Sequence, residues 1–317
     1  MSTPDSRMRF LISLVAAAVA MLPLGAGAAA RGAIPEAAAA RDTTGLPETW
    51  IHHLKSLPCI QPETGLRFSP LGLAFDIQGD LFVIDADGSR VLVAADSSAG
   101  FTFFAGCPRE AAGCKLVDVV AYGGWLYVSD RSGGLVIALD SNGAPVLDRE
   151  VGAGIGGIDV GPSGLVYGAM TLAGSVVIAD IYGEKSPITS SVAGGRDGSY
   201  PVDCLVQNAG RVLVTDAFAK QVLILGPLGN PLGHLLGFDF ESPFGLCAYL
   251  DRYVLVCDSE KGCVAVFDAA GKFLGTFGRS RLRTPTFVAA RDDGTVCVAD
   301  VGTLSIEVFR LDDLSHE

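Results

Sequence analysis

The chain has 317 residues, of which 49% are hydrophobic and only 18% charged, and its formal net charge at pH 7 is −12. That apolar content excludes a disordered chain. The acidic balance opposes phosphate backbones and anionic membrane surfaces, both of which recruit Lys and Arg. The 40 glycines fall between short apolar runs, as in a turn-rich all-β protein.

The N-terminus reads as an export signal. Arg7 and Arg9 precede the apolar run Phe10 to Leu24, and small residues follow from Gly25 to Ala30. A basic start, an apolar middle and an Ala-x-Ala exit make a secretory signal peptide over residues 1–30. The run is short for a membrane span, which needs about 20 residues. Residues 31–48 read as a flexible lead-in and residues 49–317 as a single folded unit. The expected location is the periplasm or the outside of the cell. An even cysteine count in an exported chain suggests disulfides. Cys107 and Cys114 flank a short loop and are expected to pair. Cys257 and Cys263 flank a hairpin turn and make a second expected pair. Cys204 and Cys247 fall on corresponding strands of neighbouring units, one residue out of register, and Cys59 with Cys297 completes the set. There is no Cys-x-x-Cys, so a thioredoxin-like site or a zinc ribbon is not indicated.

From Phe68 onward one unit recurs six times. Its first copy opens on Ser69-Pro70-Leu71-Gly72-Leu73 and continues with Leu81 to Ile84, ending in Asp85. The second keeps Trp125 to Ser129 with Asp130. The third has Gly156-Gly157-Ile158 and Leu165 to Gly168 but no closing Asp. The fourth has Pro201-Val202-Asp203 and Val212 to Thr215 with Asp216. The fifth is the most regular. Ser242-Pro243-Phe244-Gly245-Leu246 leads to Tyr253 through Cys257 and Asp258, then Cys263 to Phe267, the turn Asp268 to Gly271, and Lys272 to Gly278. The sixth has Thr284-Pro285-Thr286 and Val296 to Ala299 with Asp300. The closing Asp residues recur at intervals of 42 to 45 residues, the gap across the third unit being twice 43. Four short β segments per unit, repeated at this period, predict a six-bladed β-propeller. The sixth unit has no outer strand, which would leave an open sheet edge. The segment Thr49 to Leu57 precedes the first unit and is expected to fill that place, closing the ring.

Pro-x-Gly-hydrophobic, a β run ending in Asp, a hydrophobic hairpin and Asp-x-x-Gly together resemble the NHL repeat, over residues 68–310. Leu116 and Ile155 replace the Pro in the second and third units. The resemblance implies a six-bladed propeller of four-stranded blades. Such chains usually serve as binding scaffolds, with a minority of enzymes among relatives of the fold.

The recurrent strand-end Asp residues are read as structural, because such an Asp accepts backbone N–H bonds from the adjoining turn. Departures from the repeat carry more information. Asp118 and Asp203 occupy a first-strand slot that is Gly in the first, third and fifth units, and Asp159 lies two residues past it. Near a channel mouth these carboxylates are candidates for a cation or a basic side chain. The loops after the second strands share one face and contribute Arg131, Phe218, Lys220, Glu260 and Lys261 as surface candidates. The four histidines do not fall on first strands, so a zinc site or His-centred triad is not indicated. The reading is an exported, non-enzymatic binding propeller for a protein, peptide or glycan, without nucleic acid, membrane span or required cofactor. The alternative is a calcium-dependent lactonase-like hydrolase with a central metal.

Overall fold

The alternating and β-branched runs form 24 strands in a computed structural model. It describes residues 45–46 and 50–312, except 88, 96–99, 108–112, 183–187, 192–198, 209 and 228. The expected signal peptide and almost all of the lead-in lie outside the described residues. The strands make six antiparallel four-stranded sheets. Blade 1 runs Pro70–Phe75, Leu81–Asp85, Arg90–Ala94 and Thr102–Gly106 from the inside outward. Blade 2 runs Leu116–Tyr122, Trp125–Asp130, Leu135–Leu139 and Pro145–Glu150. Blade 3 runs Ile155–Val160, Val166–Met170, Ser175–Ala179 and Ile188–Ser191. Blade 4 runs Pro201–Val206, Val212–Asp216, Gln221–Leu225 and Pro231–His234. Blade 5 runs Pro243–Tyr249, Tyr253–Asp258, Cys263–Asp268 and Phe273–Phe277. Each inner strand lies against the inner strand of the next blade, and that of blade 6 returns to that of blade 1. The ring is closed.

Blade 6 takes Pro285–Ala290, Thr295–Asp300 and Ser305–Leu311 from the C-terminal end and Ile51–Pro58 from the N-terminal end. This is the closure expected from the sequence. The pairing runs from Ile51 opposite Leu311 to Pro58 opposite Ser305, with a shift between His53 and Lys55. Burial alternates along the added strand, so one face packs and the other meets water. Glu307 anchors the seam. Its Oε2 accepts from Ser56 Oγ at 2.6 Å and lies 2.8 Å from His53 Nε2, while Oε1 accepts from Ser305 Oγ at 2.7 Å. Those donors hold the Glu307 carboxyl below the usual carboxylate range, although burial opposes them.

The core lies between blades. Phe267, Phe277, Phe309 and Tyr127 are fully buried there, each contributing roughly 1.5–3 kcal/mol by leaving water. The second strands of blades 1, 4 and 6 are buried end to end and that of blade 5 in all but its first residue, so they read as continuous apolar runs.

Candidate functional site

Five second strands end in a buried Asp: Asp85, Asp130, Asp216, Asp258 and Asp300. Asp216 shows what the residue does. Its Oδ1 accepts from the backbone N–H groups of Tyr200, Phe218 and Ala219, and its Oδ2 from Ser199 Oγ. Asp300 accepts four backbone N–H groups, from Arg283, Thr284, Gly302 and Thr303. Asp130, Asp216, Asp258 and Asp300 each tie the turn after their own strand to the entry of their own blade, whereas Asp85 accepts from Asp87 N, Arg90 Nε and Gln61 Nε2, and Asp87 accepts from Ser69 N at the entry of blade 1. Blade 3 has Met170 in this place.

The inner-strand acids behave differently. Asp118 Oδ1 accepts from Val119 N at 2.8 Å, and its Oδ2 reaches across to Ile158 N of blade 3 at 2.9 Å. Asp203 repeats this with Cys204 N and with Leu246 N of blade 5. Asp159 does so with Val160 N and with Val206 N of blade 4. Each acid is a staple between neighbouring blades. Around the ring the slot reads Gly72, Asp118, Gly157, Asp203, Gly245 and Phe287, small alternating with large. A Cβ at Gly72 would stand 2.3 Å from Asp118 Oδ1, one at Gly157 1.9 Å from Asp203 Oδ1, and one at Gly245 2.7 Å from Phe287 Cα. The glycines are required by this close approach of the next blade. Burial raises Asp118 to about 7 and Asp159 to about 6, against the lowering effect of their backbone donors. Burial and the neighbouring Asp118 charge push Asp203 up as well.

The candidates on the loops after the second strands do not gather into one site. Arg131 turns back onto blade 3, where Nε donates to Ile155 O at 3.4 Å, and burial lowers its pKa. Lys261 bonds to Asp239 O and lies 4.7 Å over the Phe238 ring. Phe238 and Lys220 line one small hollow of about 270 Å³ beside blade 4. Phe218 and Glu260 are exposed at their own blades' turns.

One of the four expected cysteine pairings is present and three are corrected. Cys107 and Cys114 form a disulfide. Cys257 stands opposite Val264, and Cys263 opposite Asp258, so the two thiols are one step out of register and project from opposite faces of the sheet. Cys204 and Cys247 are likewise out of step, and Cys59 and Cys297 are also free. Burial raises Cys263 to about 11 and Cys297 to about 12, which makes these thiols poor nucleophiles. Among the described residues, one cysteine–carboxylate group of metal-binding size occurs, Cys107, Cys114 and Asp130. Its two sulfurs are spent on the disulfide.

One concavity was not foreseen from sequence. A groove of about 990 Å³ crosses blades 6, 1 and 2 on the face that carries the turns between first and second strands. Phe75, Phe82, Phe104, Val93 and Trp125 form its apolar lining, and Asp76, Asp80, Asp140, Asp292 and Asp293 its acidic one. Ile77 stands on the rim with 91% of its surface exposed. Among the described residues, Arg291 is the one cation in the lining. It lies 5.6 Å over the Phe75 ring, donates to Gly79 O at 3.3 Å, and pairs with Asp293. The signal for this groove is dispersed: three turns, Asp76 to Asp80, Tyr122 to Trp125 and Arg291 to Gly294, lie far apart in the chain.

No family model matches the chain. Human NHL-repeat-containing protein 4 is 31% identical over 104 residues, covering 32% of this chain and 83% of that protein. Among solved structures, a streptogramin B lyase is 12% identical with a TM-score of 0.64, over 83% of this chain and 99% of that one. Virginiamycin B lyase from Staphylococcus aureus is 11% identical with a TM-score of 0.61, over 83% and 99%. A chain of the nidogen/laminin complex is 16% identical with a TM-score of 0.59, over 75% and 97%. At these identities the structural likenesses show a shared fold, which enzymes and binding proteins both use.

Proposed function

Because the chain belongs to the NHL-repeat family of β-propeller proteins, we propose that it is an exported binding module whose partner docks in the groove across blades 6, 1 and 2. The groove itself carries this reading. It joins an apolar floor to a polar rim on a rigid ring, which is the general form of a recognition site. The N-terminal residue pattern and the Cys107–Cys114 bridge support export, to the periplasm or beyond.

The hydrolase alternative has less support. Both oxygens of Asp118, Asp159 and Asp203 are engaged by backbone N–H groups. Among the described residues, histidine occurs only on outer strands, at His52, His53 and His234. A related fold includes a virginiamycin B lyase that a histidine-to-alanine substitution inactivates, and no histidine among the described residues here stands on an inner strand.

The test is a photo-crosslinking amino acid placed at Ile77, in the groove, or at Phe218, on the opposite face. Partner adducts are expected at Ile77 and should be lost on adding Trp125→Ala. Adducts confined to Phe218, or calcium-dependent turnover of lactones by the pure protein, would replace this reading.

A further inference from the structure

We propose that the groove selects a cationic segment: an extended stretch of a partner protein that places a Lys or Arg side chain, flanked by apolar residues, between Trp125 and the acids of the blade 1 and blade 6 turns. This rests on the groove being the docking site and goes on to specify what docks there.

Three observations carry it. The first is charge. Among the described residues, five carboxylates line the groove and one cation answers them. Asp76 and Asp140 each use Oδ1 to close their own turns, accepting from Gln78 N and Asp80 N and from Asn142 N and Ala144 N. Among the described residues, none of Asp76, Asp80, Asp140 and Asp292 has a cationic partner. Four negative charges around one concavity focus a field that favours a positive ligand.

The second is the way Arg291 is held. Its guanidinium lies on the Phe75 ring, bonds to a backbone carbonyl and pairs with Asp293. That pairing holds the Asp293 carboxyl well below the usual carboxylate range. One end of the groove therefore already uses the arrangement that accepts a cation: an aromatic face, a carbonyl and a carboxylate. The remainder of the groove has the same parts without the cation. Trp125 and Tyr122 offer rings, and Asp80 and Asp76 offer carboxylates.

The third is shape. The floor of Phe82, Val93 and Phe104 is apolar and belongs to blade 1, while the acids stand on turns from three blades. An isolated metal ion would leave that floor unused, and a wholly polar ligand would desolvate it without return. A basic side chain with apolar neighbours satisfies both.

The experiment uses Trp125 as its reporter, in a Trp50→Phe background, since Trp50 and Trp125 are the two tryptophans of the chain. Acetylated octapeptides with a central Leu-Arg-Leu are titrated against the same set with Leu-Gln-Leu, and a panel of neutral oligosaccharides is run in parallel. Retention on the immobilised unmodified protein repeats the comparison without the Trp50 substitution. The arginine set is expected to bind about tenfold more tightly, and the preference should shrink with added salt. Asp80→Asn combined with Asp292→Asn should remove most of the gap while leaving the glutamine peptides unaffected. Equal binding of the two sets, binding of oligosaccharides alone, or no response would overturn the proposal. Equal peptide binding together with Ile77 adducts would leave the groove as the docking site and remove only its selectivity. Absence of Ile77 adducts would remove the docking site itself.

Discussion

Two buried aspartates of blade 4, Asp203 and Asp216, stand side by side across its two inner strands, where Asp203 faces Thr215, and do different work. Asp216, at the end of the second strand, spends its oxygens on residues 199–219, all of its own blade entry and turn. Asp203, on the inner strand, accepts from its neighbour Cys204 and from Leu246 of the next blade. The first closes a blade and the second joins blades. The comparison teaches that burial of a carboxylate in a repeat does not define its role. The address of the N–H groups it receives does.

The sharpest way to break this comparison is to remove the space that the inner acid needs. Gly157→Ala would put a methyl group 1.9 Å from Asp203 Oδ1, and a loss of more than about 3 kcal/mol is expected in denaturant unfolding. The double variant Gly157→Ala, Asp203→Ala should be less damaged than the sum of the two single ones, since the clash with the carboxylate goes and only the 2.8 Å approach to Asp203 Cα remains. Strict additivity would show that the glycine serves some other purpose. Asp216→Ala comes next, at about 3 kcal/mol, because it leaves several N–H groups of one turn without a partner. Hydrogen exchange should quicken within blade 4 and little elsewhere.

Asp203→Ala is expected to cost less, about 2 kcal/mol, because losing two backbone bonds is partly offset by no longer burying a charge. Its exchange signature should appear at Leu246, in blade 5. Protection lost only around Cys204 would sink the stapling role. The smallest effect is on pH dependence. Folding raises Asp118 to about 7 and Asp159 to about 6, with Asp203 also raised, while in the unfolded chain these groups titrate in the ordinary aspartate range, about 3.9. Between those limits the native protein holds protons that the unfolded chain has released. This contribution is therefore fully present at the acid end and is lost as pH rises through about 6 to 7. Glu307 has the opposite sign, and its contribution is lost as pH falls below the ordinary carboxylate range. The melting temperature should peak on the mildly acid side, and Asp118→Asn should flatten the neutral limb by an amount of order 1 kcal/mol. A wild-type profile flat from pH 5 to pH 8 would contradict the shifts.

Much of the fold was legible because a propeller writes its period into the chain. Pro243, Gly245 and Asp258 recur at equivalent places because each blade solves the same local problem of entry, close approach and turn. The missing outer strand of blade 6 was legible for the same reason, since Ser305–Leu311 would otherwise end the sheet with an unpaired edge. The slot of Asp118 and Asp203 could be located from the repeat, but not the N–H groups of Ile158 and Leu246 that they receive. The Cys107–Cys114 bridge was expected correctly, and the other three expected pairings failed at a finer scale. Cys257 and Cys263 are close in the chain, and the one-residue offset that parts their thiols is fixed by hairpin register.

The groove marks the boundary between the two kinds of information. The sequence by itself determined six four-stranded units, their closure and the structural place of the strand-end aspartates, because those follow from local hydrogen bonding and hydrophobic alternation repeated at a fixed interval. Only the tertiary structure decided which turns meet. Trp125, Asp80 and Asp292 belong to different blades, and each looks ordinary within its own repeat. They become one acidic, aromatic-lined groove because ring closure brings blade 6 beside blade 1, where Arg291 and Gly79 meet across 212 residues of sequence.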